Sequence, residues 1–284
     1  MKHILIISGK GGTGKTVVSG SLAALAKNSL MVDCDVDAAD LHLLLHPVIR
    51  ERHDFRSGQT AVIDQDLCRR CGKCIAVCRF EAIKQDSTIE PFSCEGCGLC
   101  SRVCPHGAIR MEESVSGEWF VSDTRYGPFV HAKLGIAEEN SGKLVSKIRQ
   151  VAKELAQQQS RDYVIVDGPP GIGCPVIASL TGVDCALIVT EPTLSGLHDA
   201  KRVAEVAEHF HIPVKFVINK YDLNLDMTKK IEDFCREQDI PVIGKIGFDK
   251  AVVQALVQGK TIVEHVSCAA ADEIKKIWES LKSE

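Results

Sequence analysis

Aromatic side chains are scarce, at 5% of the chain, which argues against stacking platforms for single-stranded nucleic acid. Basic charge is not in excess either. The formal net charge is −4, so there is no general attraction to nucleic acid or to an anionic membrane. Long hydrophobic runs are missing, and no stretch approaches the ~20 apolar residues of a membrane span. The opening, MKHILIISGK, has an apolar run of only Ile4 to Ile7. It ends in a glycine loop rather than the small-residue cleavage site of a secretory signal. The expectation is a cytoplasmic protein with no nucleic-acid partner and no stable membrane association. A length of 284 residues suits one large α/β domain, or one such domain with a small insert.

Cysteine is plentiful. There are 13, and eight fall between residues 68 and 104. In a reducing compartment such a cluster points to metal ligation rather than disulfides.

The first 26 residues read strand, loop, helix. Ile4 to Ile7 is a short apolar run of strand type. Gly9-Lys10-Gly11-Gly12-Thr13-Gly14-Lys15-Thr16 fits G-x-x-x-x-G-K-[ST], a loop whose backbone N–H groups close around phosphate oxygens. The helix that follows adds its positive end. In this pattern Lys15 reaches the β- and γ-phosphates and the Thr16 hydroxyl holds Mg²⁺.

Lys10 is a second lysine within the loop. The run KGGTGKT resembles the deviant-Walker-A ATPases, the group of MinD, ParA, Mrp and the nitrogenase iron protein. That resemblance implies a doubly wound, mostly parallel α/β sheet, ATP with Mg²⁺, and a homodimer formed on ATP in which Lys10 reaches the partner's nucleotide. It also implies that Asp35, in SLMVDCDVDAADL, positions the attacking water or Mg²⁺, with Asp37 as a competitor. Asp167, in DYVIVDGPPGIG, would hold Mg²⁺ through water, and Gly168 and Gly171 would let the loop after it move. Asn219, after the strand VKFVIN, falls where the family contacts adenine. The GKIGFDKAVVQ stretch resembles the family's C-terminal segment. Catalysis is thereby assigned to Lys10, Lys15, Asp35 and Asp167, and nucleotide binding to Gly9 through Thr16 with Asn219.

Residues 62–112 break the α/β rhythm. CRRCGKCIAVCRFEAI and CEGCGLCSRVCPHGAI are two copies of C-x₂-C-x₂-C-x₃-C, the bacterial ferredoxin run that binds cubane clusters. First and fourth cysteines of the two copies both stand 26 residues apart, so this is an internal duplication. Two-residue steps wrap three thiolates around one cube. The fourth cysteine, expected to begin a helix pointing elsewhere, serves the other cube. One [4Fe–4S] centre is therefore assigned to Cys68, Cys71, Cys74 and Cys104, and the other to Cys94, Cys97, Cys100 and Cys78. Zinc is the competing metal, but it uses pairs with longer gaps. The proline after the fourth cysteine is present as Pro105 and replaced by Arg79 in the first copy.

The domain expectation is an ATPase domain over 1–60 and 114–284 with an inserted α+β ferredoxin-like domain over 61–113. ENSGKLVSKIRQVAKELAQQ reads as an amphipathic helix with Leu144, Val145, Ile148, Val151 and Leu155 on its apolar face. The tail, with Ile274, Ile277, Trp278 and Leu281, reads as a helix packed on the domain. Of the single cysteines left over, Cys174 follows Asp167 closely enough to be considered as a ligand. The leading expectation is an ATPase acting in metallocofactor or iron–sulfur assembly, or in ATP-gated electron transfer, with a redox or assembly protein as partner. The alternative is a positioning or regulatory switch of the MinD or ParA kind, with clusters that are structural or redox-sensing.

Overall fold

The structure is a computed structural model that describes residues 1–135 and 141–283. The first two residues of the stretch ENSGKLVSKIRQ lie outside that range. The chain divides into two compact units. One comprises Met1–His53, Trp119–Lys133 and Ser141–Glu284, and the other Asp54–Glu118 with Leu134–Asn140.

Among the described residues nine strands form one sheet: β1 (Lys2–Ser8), β2 (Ser29–Asp33), β3 (Val48–Ile63), β4 (Ile109–Thr124), β5 (Gly127–Leu134), β6 (Tyr163–Pro170), β7 (Cys185–Thr190), β8 (Val214–Asn219) and β9 (Val242–Ile246). Their order is β3-β4-β5-β2-β6-β1-β7-β8-β9. The pairs β5–β2, β2–β6, β6–β1, β1–β7, β7–β8 and β8–β9 are parallel. The expected mostly parallel α/β sheet is thus observed. Its central strands are continuous apolar runs because helices cover both faces.

The helices are α1 (Lys15–Leu25), α2 (His42–Leu45), α3 (Lys73–Val77), α4 (Leu99–Val103), α5 (Ser141–Gln158), α6 (Cys174–Leu180), α7 (Leu194–His209), α8 (Leu225–Glu237), α9 (Lys250–Val257), α10 (Ile262–His265) and α11 (Ala269–Lys282). In the first unit, β1, β6 and β7 pack Ile4, Ile6, Ile165 and Leu187 against Val18 and Leu22 of α1 and Ile274, Ile277 and Leu281 of α11. The tail helix therefore spends its apolar face on the core. On α5 the buried face holds Leu144, Val145, Ile148, Ala152 and Ala156, and also Arg149.

The second unit has a much smaller apolar core: Ala61, Ile63, Ile83 and Ile109. Its two short helices have matching entries. Gly72 before α3 and Gly98 before α4 both take left-handed backbone, with φ of 74° and 71°, which glycine adopts without steric cost. The duplication read in the sequence is thus repeated in the backbone. One expectation is corrected. Cys78 and Cys104 end α3 and α4 rather than beginning a helix. The third cysteine of each run, Cys74 or Cys100, stands one turn earlier on the helix, so each short helix carries two cysteines of its run to different places.

Candidate functional site

The phosphate-type loop runs from β1 to α1. Gly12 and Gly14 have φ of 79° and 90°. A side chain at Gly14 would also strike the Asn219 amide. The loop is held from the end of β8. Asn219 Nδ2 donates to Thr13 O at 2.8 Å, and Lys220 Nζ donates to Gly12 O at 3.2 Å. Asn219 is therefore committed to bracing the loop in this structure. No side chain caps the N-terminus of α1, so its leading N–H groups are left to an anion. Thr13 Oγ1 is buried without a hydrogen-bond partner.

Three acids from two neighbouring strands surround Lys15: Asp33 and Asp35 at and just after the end of β2, and Asp167 in β6. Asp33 and Asp167 stand opposite each other in the β2–β6 register, and both are 1% exposed. Lys15 Nζ donates to Asp167 Oδ1 at 2.8 Å and lies 3.8 Å from Asp35 Oδ2. Ser19 Oγ also donates to Asp167 Oδ1, at 2.7 Å, and Thr16 Oγ1 donates to Asp167 Oδ2 at 3.1 Å. Asp33 accepts the backbone N–H of Asp35 and of Leu41, which fixes the loop that carries Asp35. Of the two acids weighed for the role beside the phosphates, Asp35 faces Lys15, while Asp37 is exposed.

Burial governs the charge states here. It pushes the Asp33 carboxyl well above the usual carboxylate range, and the neighbouring Asp167 charge adds to this. Burial likewise lifts Asp35 to about 6, against the pull of Lys15. For Lys15, burial works to lower the pKa. The carboxylates of Asp167, Asp33 and Asp35 outweigh it and leave the ammonium firmly charged. Three acids packed around one ammonium, two of them held back from ionising, make a site with room for more positive charge.

Lys10 is held within its own chain. It pairs with Glu191 Oε1 at 2.8 Å and donates to Thr193 Oγ1 and Ser195 Oγ at 3.2 and 3.0 Å. Glu191 also receives Lys220 at 3.2 Å. Against the effect of burial, hydrogen bonds from the two lysines hold the Glu191 carboxyl below its usual range. Sequence reasoning missed Glu191, although an acid directly after the apolar strand ALIVT was a legible signal. The two glycines after Asp167 also differ. Gly171 has φ of 91° and open space around it, as a hinge needs, whereas Gly168 lies inside β6 with no room for a side chain beside Ile7 and Leu5. Gly168 is a packing residue. Cys174 is exposed at the start of α6.

In the second unit, two cavities lie among the cysteines. One, with about 350 Å³ of empty volume, is lined by Cys68, Cys71, Cys74 and Cys104. The other, about 370 Å³, is lined by Cys78, Cys94, Cys97 and Cys100. Each cavity takes three cysteines from one copy and the fourth from the other. Cys71 and Cys97 are exposed and the other six are half-buried. Backbone N–H groups of Arg70 and Ala108 point at Cys68 Sγ and Cys104 Sγ, both at 3.4 Å. Among the described residues no three His, Cys, Asp or Glu side chains converge to hold a single metal ion. A cubane makes a different demand. Each thiolate binds a different iron, so its sulfurs surround a space instead of meeting at a point.

A glycine-rich loop joins the middle strand of a parallel sheet to an uncapped helix, with acidic strand ends around its lysine; these define a P-loop nucleotide-binding protein. The model of the CobQ/CobB/MinD/ParA nucleotide binding domain matches residues 4–262, and the chain belongs to that family. It is 36% identical over 282 residues to the uncharacterized protein MJ0578 of Methanocaldococcus jannaschii, covering 98% of this chain and 96% of that protein. It is 25% identical over 271 residues to the septum site-determining protein MinD of Bacillus subtilis, covering 91% of this chain and 81% of that one. Among solved structures, MinD of Pyrococcus horikoshii complexed with Mg-ADP superposes with a TM-score of 0.61 at 18% identity, over 99% of this chain and 96% of the other. That likeness speaks for the fold alone.

Proposed function

We propose that this chain is an ATP-hydrolysing, nucleotide-dependent dimeric switch of the MinD and ParA kind, carrying two [4Fe–4S] clusters in a structural or redox-sensing role. The observation that carries the switch is the pairing of Lys15 with Asp167 beside an uncapped helix start. A nucleotide phosphate competes with Asp167 for Lys15. With Lys15 turned to a phosphate, Asp167 and Thr16 would hold Mg²⁺, which would supply charge neutralisation, and Asp35 would orient the attacking water. Gly171 lets the loop after Asp167 follow. Lys10 must leave Glu191 to act on a partner's nucleotide, so the Glu191 contact favours the single chain until ATP is bound.

The division of the eight cysteines between two cavities supports the clusters. The residues fit the group: four thiols line each space, and N–H groups are aimed at two of the sulfurs. The bound clusters would supply one-electron chemistry. The names of the MinD relatives favour the switch over metallocofactor assembly. A second reading, ATP-gated electron transfer to a redox or assembly partner, rests on the exposure of Cys71 and Cys97, which would leave an edge of each cluster open to an electron acceptor.

The test uses protein purified without oxygen. Electron paramagnetic resonance of the dithionite-reduced protein is recorded without nucleotide, with ADP and with a non-hydrolysable ATP analogue, and light scattering gives the mass in each state. The expected result is two cubane signals and a doubling of mass with the analogue, lost in Lys10→Ala. A midpoint potential that moves with nucleotide selects gated electron transfer. A mass that never changes removes the switch, and a protein that takes up no iron on reconstitution removes the clusters.

A further inference from the structure

The nucleotide site has a direction. The acids around Lys15 come from β2, β6 and the loop just after β2, on one side of β1 in the sheet. Strands β7, β8 and β9 lie on the other side. A nucleotide whose last phosphate meets Mg²⁺ among those acids, and whose phosphate chain follows the loop, carries its base toward the carboxyl ends of β8 and β9. Two short runs stand there: Asn219-Lys220-Tyr221-Asp222 at the end of β8, and Gly247-Phe248-Asp249 between β9 and α9.

The first two of these residues are tied to the phosphate loop. Asn219 Nδ2 donates to Thr13 O, and its Oδ1 accepts the Lys220 N–H at 3.0 Å. Lys220 Nζ donates to Gly12 O and Glu191 Oε2, both at 3.2 Å. Lys220 has left-handed backbone, with φ of 54°, which is uncommon for a residue with a Cβ. Its methylene stem thus runs from the end of β8 to the loop, an apolar rod able to cover one face of a planar base. Asp222 is left for the base edge. It is exposed, and its Oδ1 accepts the Phe248 N–H at 2.7 Å. That bond ties the end of β8 to the β9–α9 connection and fixes the carboxylate. Among the described residues no other hydrogen bond and no ion pair reaches the Asp222 carboxylate. Neighbouring charges are committed elsewhere: Lys245 pairs with Glu232 at 2.9 Å, and Asp249 caps α9 by accepting the Ala251 N–H at 2.8 Å. Phe248 is 48% exposed, so the same connection also offers an aromatic ring to a base.

We propose that Asp222 reads the base edge and that the site takes guanine nucleotides as well as adenine ones. This rests on the nucleotide reading of the phosphate loop and adds the base to it. An ionised carboxylate only accepts hydrogen bonds. The Watson–Crick edge of guanine offers it two donors side by side, N1–H and the 2-amino group. The same edge of adenine offers one donor, the 6-amino group, beside N1, which is an acceptor. The carboxylate therefore holds guanine by two charge-assisted bonds and adenine by one. Hypoxanthine lacks the 2-amino group and keeps only the bond from N1–H.

The test is calorimetric titration of the full chain with the Mg²⁺ complexes of ADP, GDP, IDP and XDP, since diphosphates avoid turnover. GDP is expected to bind at least as tightly as ADP, and IDP about tenfold more weakly than GDP. Asp222→Asn sets an amide donor against the guanine 2-amino group and weakens GDP by about tenfold or more. It strengthens XDP, whose 2-carbonyl accepts that donor. ADP stays within about threefold, because the Asn oxygen still accepts the 6-amino group. The comparison of GDP with IDP uses the unmodified chain and decides the matter even where the variant fails to fold. The inference is overturned if ADP binds and GDP does not, if GDP and IDP bind alike, or if a folded Asp222→Asn protein keeps the original order of GDP and XDP. Binding of none of the four removes the nucleotide reading itself, and this inference with it.

Discussion

The two units are stabilised in different ways. The nucleotide-binding unit has a broad apolar core, with Phe129, Phe216 and the β1 isoleucines fully buried. Against that core it keeps a costly cluster of Lys15, Asp33 and Asp167 out of water. The cysteine unit has a small cluster of Ala61, Ile63, Ile83 and Ile109 and packs half-buried thiols against it. The first unit can carry electrostatic strain because burial elsewhere outweighs it. The second has little apolar core of its own, and the proposed clusters would complete its fold.

If the proposed clusters are present, the largest effect expected is on removing iron. Chelation of the anaerobically purified protein should abolish protection from amide hydrogen exchange over 54–118 while the strands around β1 keep theirs. Equal loss in both units, or in neither, would erase the contrast. Next in size is Lys15→Ala, where steady-state ATP hydrolysis should fall by about 10²–10³-fold with the iron content and cluster spectrum unchanged. The smallest concerns Asp35. The folded chain keeps its carboxyl protonated up to about pH 6, whereas the unfolded chain releases the proton near 3.8. The resulting stability is complete below about pH 4 and is lost as pH rises through 6, amounting to at most about 3 kcal/mol. In nucleotide-free protein, Asp35→Asn should flatten that slope in denaturant midpoints taken between pH 4 and 7. A slope equal to that of the unmodified chain would place the burdened carboxyl elsewhere.

Much of this arrangement is written locally in the chain. The phosphate loop is one continuous run, and the two cysteine runs stand out by their repeated spacing. What sequence missed was non-local or weakly patterned. Glu191 meets Lys10 only because β7 lies beside β1. Val48–Ile63 carries charged residues through much of its length, and the β4–β5 connection, Arg125-Tyr126, lacks the glycine or asparagine of a common hairpin turn. Their strands therefore gave little signal. Arg149 sits at a position whose helical periodicity is apolar, and its polar surroundings come from β1 and the end of α6.

The exchange of Cys78 and Cys104 between the two copies has a consequence for assembly. A single copy offers three thiols to one cavity and one to the other, so alone it completes neither. Two free copies would have to find each other at a rate set by their concentration in solution. Joined 26 residues apart in one chain, they meet at the effective concentration of a short tether. Closing one cavity then holds the remaining cysteines in place for the other, and the two should fill together rather than one by one.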